Sequence, residues 1–436
     1  MHHHLSVIYR ELGRTQEALL EAASALQLSV QIEDHYGEAA VLDNMARTYL
    51  QLSDYRMALE LGKQALVMRR EISDRHAEAT TLDTLARGYQ GLSRYDKAFK
   101  CADDALTIRK EIGDLRGEAE TLDNMARIYF GWGHVDHSLD AAERALKIRQ
   151  EIGDRHGEGE TLAFLGDLYR WIGRHAEACE HIEQALAIRR KIADRHGEGR
   201  ALVYLATIRR RLGRYEDALQ AGLEALDVLQ ELGDRQGEAE ARNSLCRCYR
   251  RMGMFKEARA EAERSLSISR SIGGRHGEAT ALNALGLIEL NAGPLGRARR
   301  AAKRSLRLCH LIGDERGITS SLDLLSKVYL RMGLAEKALR TAEMAFTLEE
   351  SVGYRYGQTV TLRALAEILI VLDRPAEALT KARLAQDVAM RLRDRHEEAK
   401  TLRLLAAIHD DAGRTAEART ATAEAAAISR ELERLL

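Results

Sequence analysis

Apolar residues along this chain fall into stripes with helical spacing, and the stripes return every 40 residues. Leu122, Met125, Ala126 and Tyr129 lie 3, 4 and 7 positions apart, which is one face of a helix. Gly133 interrupts the stripe, and Leu139, Ala142, Ala145 and Leu146 begin another. The predicted unit is a helix, a turn and a second helix. Related turns recur at Asp34, Asp74, Asp114, Asp154, Asp194, Asp234, Asp314 and Asp394 with no insertion to break the register. A carboxylate follows within the next helical turn at Glu38, Glu78, Glu118, Glu158, Glu198, Glu238, Glu278 and Glu398, where the helix dipole favours negative charge. Small residues recur where two helices approach closely, at Ala46, Ala86, Ala126, Gly166, Ala206 and Gly286 in the first helix and from Ala58 to Ala418 in the second.

The period divides the chain into a partial repeat over 1–33, nine full repeats over 34–73, 74–113, 114–153, 154–193, 194–233, 234–273, 274–313, 314–353 and 354–393, and a last repeat over 394–436. One hairpin cannot bury enough apolar surface to offset the entropy of ordering it, so neighbours must stack. The expected fold is all-α, a single right-handed solenoid of about eleven hairpins over 1–436 with a concave inner wall. Leu5, Tyr9, Gly13, Ala18 and Ala25 fall one period before Met45, Tyr49, Ser53, Ala58 and Ala65, so the chain begins inside a helix. It finishes on Ile428, Leu432, Leu435 and Leu436 without a polar-faced capping helix, and a fragment of a longer protein is expected.

Composition narrows the function. Only two prolines occur, 45% of residues are hydrophobic and 31% charged, as expected of an ordered helical chain. The 66 basic and 67 acidic side chains leave a net charge of -1, so no global field draws in nucleic acid or anionic membrane. No apolar run is long enough to span a bilayer and no signal peptide is evident, which points to a cytoplasmic protein. Five cysteines (Cys101, Cys179, Cys246, Cys248, Cys309) show neither paired CxxC motifs nor a disulfide framework, and a reducing compartment fits. Phosphate loops, zinc-protease motifs and nucleophile elbows are absent, so neither an enzyme nor a cofactor is expected. The turn histidines His76, His156, His196, His276 and His396 sit at least a full repeat apart, too far to share a metal.

Leu162, Gly166, Tyr169, Gly173, Ala178 and Ala185 carry the pattern of the tetratricopeptide repeat, which the whole chain resembles, with a longer period and no repeat-ending proline. The 40-residue form is similar to the repeat domains of bacterial regulators and nucleotide-binding STAND proteins. It is also similar to the Leu-Gly-Asn adaptors, although their Asn is replaced here by Arg47, Arg87, Arg127, Asp167, Thr207 and Arg247. The resemblance implies a groove that binds a protein or peptide, as the sensing part of a bacterial regulator; a free-standing scaffold and an anion or nucleic-acid binder are the other readings.

Two sets of groove residues stand out. Asp43 with Arg47, Asp83 with Arg87, Asp123 with Arg127 and Asp323 with Lys327 are acid then base at i, i+4, suited either to pairing within the helix or to gripping an extended peptide. Arg170, Arg210, Arg211, Arg247, Arg250, Arg251 and Arg331 cluster near the ends of groove helices, where planar guanidinium groups suit carboxylates or phosphates. Nearby, Arg209 and Glu289 replace a recurring Tyr and Arg242 a recurring Leu. Rule-breaking core positions beside a basic strip make residues 200–290 the expected binding region, with an acidic partner.

Overall fold

The structure, a computed structural model, describes residues 1–436 apart from 12, 13, 53, 93, 393, 435 and 436. Gly13, Ser53, Leu435 and Leu436 of the sequence reading therefore lie outside the described residues. Twenty-two α-helices occur among the described residues, and no strand does. Most are 17 residues long, and from α3 (His35–Gln51) onward the first helices of successive hairpins start 40 residues apart, at α5 (Arg75–Gly91), α7 (Leu115–Gly131) and so on. The helices form two compact units, residues 1–161 and 162–436.

Eight of the first helices start by the same device, while α15 (Arg275–Ala292) and α19 (Arg355–Val371), whose caps are Gly274 and Tyr354, do not. Asp34, Asp74, Asp114, Asp154, Asp194, Asp234, Asp314 and Asp394 accept the backbone N–H three residues on, satisfying one of the donors that a helix start leaves unpaired. The residue before four of these aspartates, Asp114, Asp154, Asp234 and Asp314, is a glycine with φ between 67° and 70°, the left-handed conformation that ends the preceding helix, and Glu33, Ser73 and Ala193 take the same conformation before three others. Replacing Asp34, whose cap is exposed, by Ala should lower stability by about 1 kcal/mol, read as a shift in the urea midpoint. The turn histidines bind the next cap: His76, His196 and His276 lie 3.4, 3.2 and 3.0 Å from Asp114, Asp234 and Asp314.

Within each unit, small residues hold helices close. Ala46, Ala65, Ala86, Ala98, Ala102, Ala105, Ala126 and Ala145 are fully buried in unit 1 and Ala178, Ala206, Ala218, Ala258, Ala298 and Ala338 in unit 2, with Leu, Ile and Met between them. At Gly166 a Cβ would come within 2.6 Å of Ile182, so that crossing excludes even alanine unless the isoleucine moves. The largest described core cluster runs from Ala338 to Ile428 in unit 2. No helix among the described residues is long and apolar enough to cross a membrane.

Candidate functional site

Unit 1 carries the acid-base ladder, and the structure divides it. Asp43 lies 3.1 Å from Arg47 as the i, i+4 spacing suggests. Asp83 and Asp123 differ: both are buried and turn to arginines of the second helix, Arg109 at 3.0 Å on α6 (Tyr95–Glu111) and Arg149 at 2.8 Å on α8 (Val135–Ile152). Thr121 and Asn124 also donate to Asp83, and Thr161 donates to Asp123. Burial pushes Asp123 up to about 6 against the pull of Arg149, which leaves it ionised at neutral pH beside its guanidinium. These two carboxylates are structural pairs between helices and are not presented to a groove. Arg87 remains exposed, its charge disfavoured by the surrounding protein and then by Arg47 and Arg127. In unit 2, Lys327 reaches Asp323 at 2.7 Å, again within one helix.

Each irregular core position has an internal ion-pair partner, although Arg209 Nε and Glu289 Oε2 stay buried without a hydrogen bond. Arg242 is buried and bonded to Glu238 and Glu261, both at 2.8 Å. Glu289 accepts from Arg259 at 2.8 Å, and Arg209 donates to Glu183 at 2.9 Å. Each local rule-break thus comes with its own partner, because an unpaired charge at such a position is costly.

The arginine strip is different. Arg170 ends α9 (Arg155–Trp171) and is held by Asp167. Arg210 and Arg211 end α11 (Arg195–Arg211), and Arg247, Arg250 and Arg251 end α13 (Arg235–Arg251). Arg210, Arg247, Arg250 and Arg251 make no hydrogen bond or ion pair among the described residues, and the Nε of Arg210 is buried without a partner. Burial and then Arg211 and Arg247 press the Arg210 guanidinium well below its ordinary range; burial and then Arg251 bring Arg250 to about 10. An arginine remains charged under such pressure, so the shifts describe positive potential without a counter-ion. Arg331 is exposed at the end of α17 (Glu315–Arg331) and does not border the cleft described below.

Unit 2 also curls so that its early hairpins face its late ones. Arg316 stacks 3.1 Å above the Trp171 ring, Trp171 meets Tyr354 edge-on at 4.5 Å, and Arg211 lies 4.4 Å from the Tyr356 ring. His175 stands 3.8 Å from Asp394, but burial and then Arg211 hold its imidazole neutral, so the contact is not a strong ion pair. Glu397 is held by Lys400 at 2.6 Å and Arg363 at 3.2 Å. These aromatic and charged groups border the arginine strip and were not singled out by sequence, since no local period joins residues nearly two hundred positions apart.

Beside the strip a cleft of about 440 Å³ opens between α11, α13 and α15 (Arg275–Ala292). Arg170, Tyr204, Asn243, Ser244, Arg247 and Ser269 are among its walls. Asn243, Ser244 and Ser269 are 6%, 4% and 1% exposed, and the Oδ1 of the first and the Oγ of the others lack partners. Guanidinium groups at the rim and unsatisfied neutral groups behind them can receive an anion attached to a polar body. Among the described residues no group of His, Cys, Asp and Glu could hold a metal ion. Burial raises the thiols of Cys101, Cys179, Cys246 and Cys248 to about 11, so they are inert at neutral pH.

Among curated proteins, none matches this sequence. Solved structures resemble it in fold at low identity. A Rap protein complexed with competence and sporulation factor is 18% identical, with 82% of this chain and 99% of that one covered and a TM-score of 0.59. Aspartyl phosphate phosphatase F from Bacillus subtilis is 16% identical over 80% and 93% of the two chains, with a TM-score of 0.56. The Rap conjugation gene regulator of the plasmid pLS20, in complex with the Phr* peptide, is 12% identical over 77% and 95%, also at 0.56. At these identities the likeness is one of fold alone. The tetratricopeptide repeat family model matches residues 1–71, 77–151, 158–231 and 237–309, well over half of the chain. With its forty-residue hairpins and alanine-packed crossings, this chain belongs to the tetratricopeptide repeat family.

Proposed function

We propose that the chain is a peptide- and protein-binding module whose unit 2 captures an extended, acidic segment on the arginine strip. In this reading it is the sensing or partner-binding part of a bacterial regulatory protein in the cytosol, and it acts by binding and not by catalysis. The observation that carries the proposal is the set Arg210, Arg247, Arg250 and Arg251, four guanidinium groups without an internal acidic partner beside an open cleft. Arg242, Glu289 and Arg209 nearby are by contrast already paired. Leaving cations uncompensated costs stability, and a carboxylate-bearing ligand would recover it. Two of the structures similar in fold are complexes, one with the Phr* peptide and one with competence and sporulation factor, which supports a peptide as the ligand class.

Fluorescence anisotropy with labelled pentapeptides bearing zero, two or four glutamates tests this. Affinity should rise about tenfold for each added pair of carboxylates and fall steeply between about 0.05 and 0.5 M salt, as expected of charge attraction that ions screen. Equal affinity for neutral, acidic and basic peptides would refute the reading.

A further inference from the structure

The repeat itself supplies a template for what the cleft replaces. At the end of second helices α6 and α8, Arg109 and Arg149 lie buried between hairpins. Arg109 bonds Asp83 at 3.0 Å and the cap Asp114 at 2.7 Å. Arg149 bonds Asp123 at 2.8 Å, Thr161 at 2.9 Å and the carbonyl of Gly157. A guanidinium thus fills the space between one hairpin and the next, received by two aspartates at Arg109 and by an aspartate, a threonine hydroxyl and a carbonyl at Arg149.

Carried forward by whole periods, Arg109 and Arg149 become Ser269, Asp83 and Asp123 become Asn243, Asp114 and Asp154 become Gly274, and Thr121 and Thr161 become Ala281. Between α13 and α15 the cation and all of these acceptors are replaced together. Shrinkage alone does not explain the void, because the preceding interface also loses the arginine, its facing aspartate and the threonine, keeps only the cap Asp234, and refills the space with hydrocarbon. There Leu229 and Val203 take the positions of the arginine and the aspartate, and Leu229 is fully buried. At the later interface the replacements are small and neutral but still polar. They leave the cleft, with the Asn243 Oδ1 and the Ser244 and Ser269 Oγ atoms unpaired in its walls. Such unpartnered atoms occur elsewhere in the chain, at Asn44, Asp323 and Glu349 among others, but here three of them converge on one open cleft that a ligand's polar group can enter.

The chemistry of that missing group follows from what was deleted. With both aspartate positions neutral, a cation would find no counter-charge in the depth of the cleft, since the one carboxylate that lines it, Glu240, is exposed at its mouth. With only hydroxyl and amide groups there, an anion would sit better at Arg170 and Arg247 on the same cleft. A group that both donates and accepts fits the remainder: its N–H or O–H to Asn243 Oδ1, its oxygen accepting from a serine hydroxyl. The volume of about 440 Å³ lies in the usual range of about 300–1,000 Å³ for sites that enclose part of a ligand. We infer that the cleft between α13 and α15 is a specificity subsite for a neutral carboxamide or hydroxyl side chain of the acidic peptide held by the arginine strip. This rests on the proposed function and deepens it: the strip reads charge, and the vacated arginine site reads one side chain.

The test uses the full chain and labelled pentapeptides with one fixed Glu-Glu pair, in which the remaining positions are scanned through Gln, Ser, Ala, Leu and Arg. Gln or Ser at one position is expected to bind at least tenfold tighter than Ala or Leu there, and Arg more weakly than either. The triple variant Ser269→Arg, Asn243→Asp, Gly274→Asp restores the arginine and both aspartates of the earlier repeats and should refill the cleft with the protein's own guanidinium. It is expected to keep the helical circular dichroism, erase the Gln preference and retain the dependence on the Glu pair. If that variant does not fold, Ser269→Leu with Asn243→Val copies the apolar solution at Leu229 and Val203 and carries the same expectation. Binding that depends on the Glu pair but is indifferent to Gln, Ser, Ala and Leu overturns the subsite and leaves the strip standing. A preference for Arg or Leu at the scanned position also overturns it. Failure of every Glu-bearing peptide to bind overturns the strip and the subsite together.

Discussion

Exchanging Glu349 for Gln is expected to stabilise unit 2 by on the order of 2–4 kcal/mol at pH 8.5 and to leave it unchanged near pH 4.5. Glu349 lies near the end of α18 (Ala335–Ser351), only 3% exposed. Thr361 donates to its Oε1 at 3.0 Å, while Oε2 is buried without a partner. Burial is the main force on the carboxyl and Asp323 adds to it. The Thr361 bond and Lys327 oppose them, and the outcome is an acid raised to about 8. A raised acid favours folding while it is protonated. Its contribution is complete below the unfolded value near 4.5 and is lost as pH rises through about 8, because ionising it in the folded chain leaves an uncompensated buried charge. Glutamine keeps the acceptor for Thr361 and carries no charge at any pH, so the variant's stability curve should flatten where that of the parent falls. Urea denaturation at several pH values between about 4.5 and 8.5 checks this. Parallel curves for the two proteins would show that Glu349 ionises without cost, and the buried acid would lose its significance.

The same position along the repeat shows what sequence can and cannot convey. Arg109, Arg149, Leu229, Ser269 and Glu349 are period-equivalent, and their diversity is plain in the sequence. The fold is legible because helical stripes, Asp caps, left-handed glycines and small crossing residues are local signals, repeated often enough that no single exception matters. The site is less legible. The i, i+4 spacing of Asp83 and Arg87 suggests a pair within one helix, yet Asp83 is bonded to Arg109, whose helix packs behind it. Spacing along one helix says nothing about the helix behind it, and the desolvated partner wins because a buried guanidinium needs a carboxylate more than an exposed one does. Likewise Arg209, Arg242 and Glu289 are conspicuous as broken rules, and each proves to have a partner supplied by another helix. The cleft announces itself more quietly, through polar residues too small for their position at Ser269, Asn243 and Gly274. Alignment of the chain on its own period exposes that coincidence. The meeting of Trp171 with Tyr354 and Arg316 needs the curl of unit 2 and is beyond any repeat argument.

Reversing charge at two positions of the strip, Arg247→Glu with Arg250→Glu, should weaken binding of a labelled pentapeptide bearing four glutamates at least a hundredfold, or about 2.7 kcal/mol. A lysine-rich peptide of the same length should gain affinity in parallel. Arg247 and Arg250 are half-buried at the end of α13, close enough that each disfavours the other's charge, and neither has an acidic partner among the described residues. Introduced glutamates would lie beside Arg210, Arg211 and Arg251 and pair with them, converting a repulsive cluster into a mixed one. The variant should therefore melt at the same temperature as the parent or higher while losing its acidic ligand. That combination separates a binding strip from a structural one, because arginines required for the fold would lower the melting temperature when reversed. Anisotropy titrations at low and high salt, read beside thermal melts by circular dichroism, decide the matter. Unchanged affinity for the acidic peptide in a folded variant would remove the strip as the binding site, whereas a loss confined to low salt would assign it to long-range steering without direct contact.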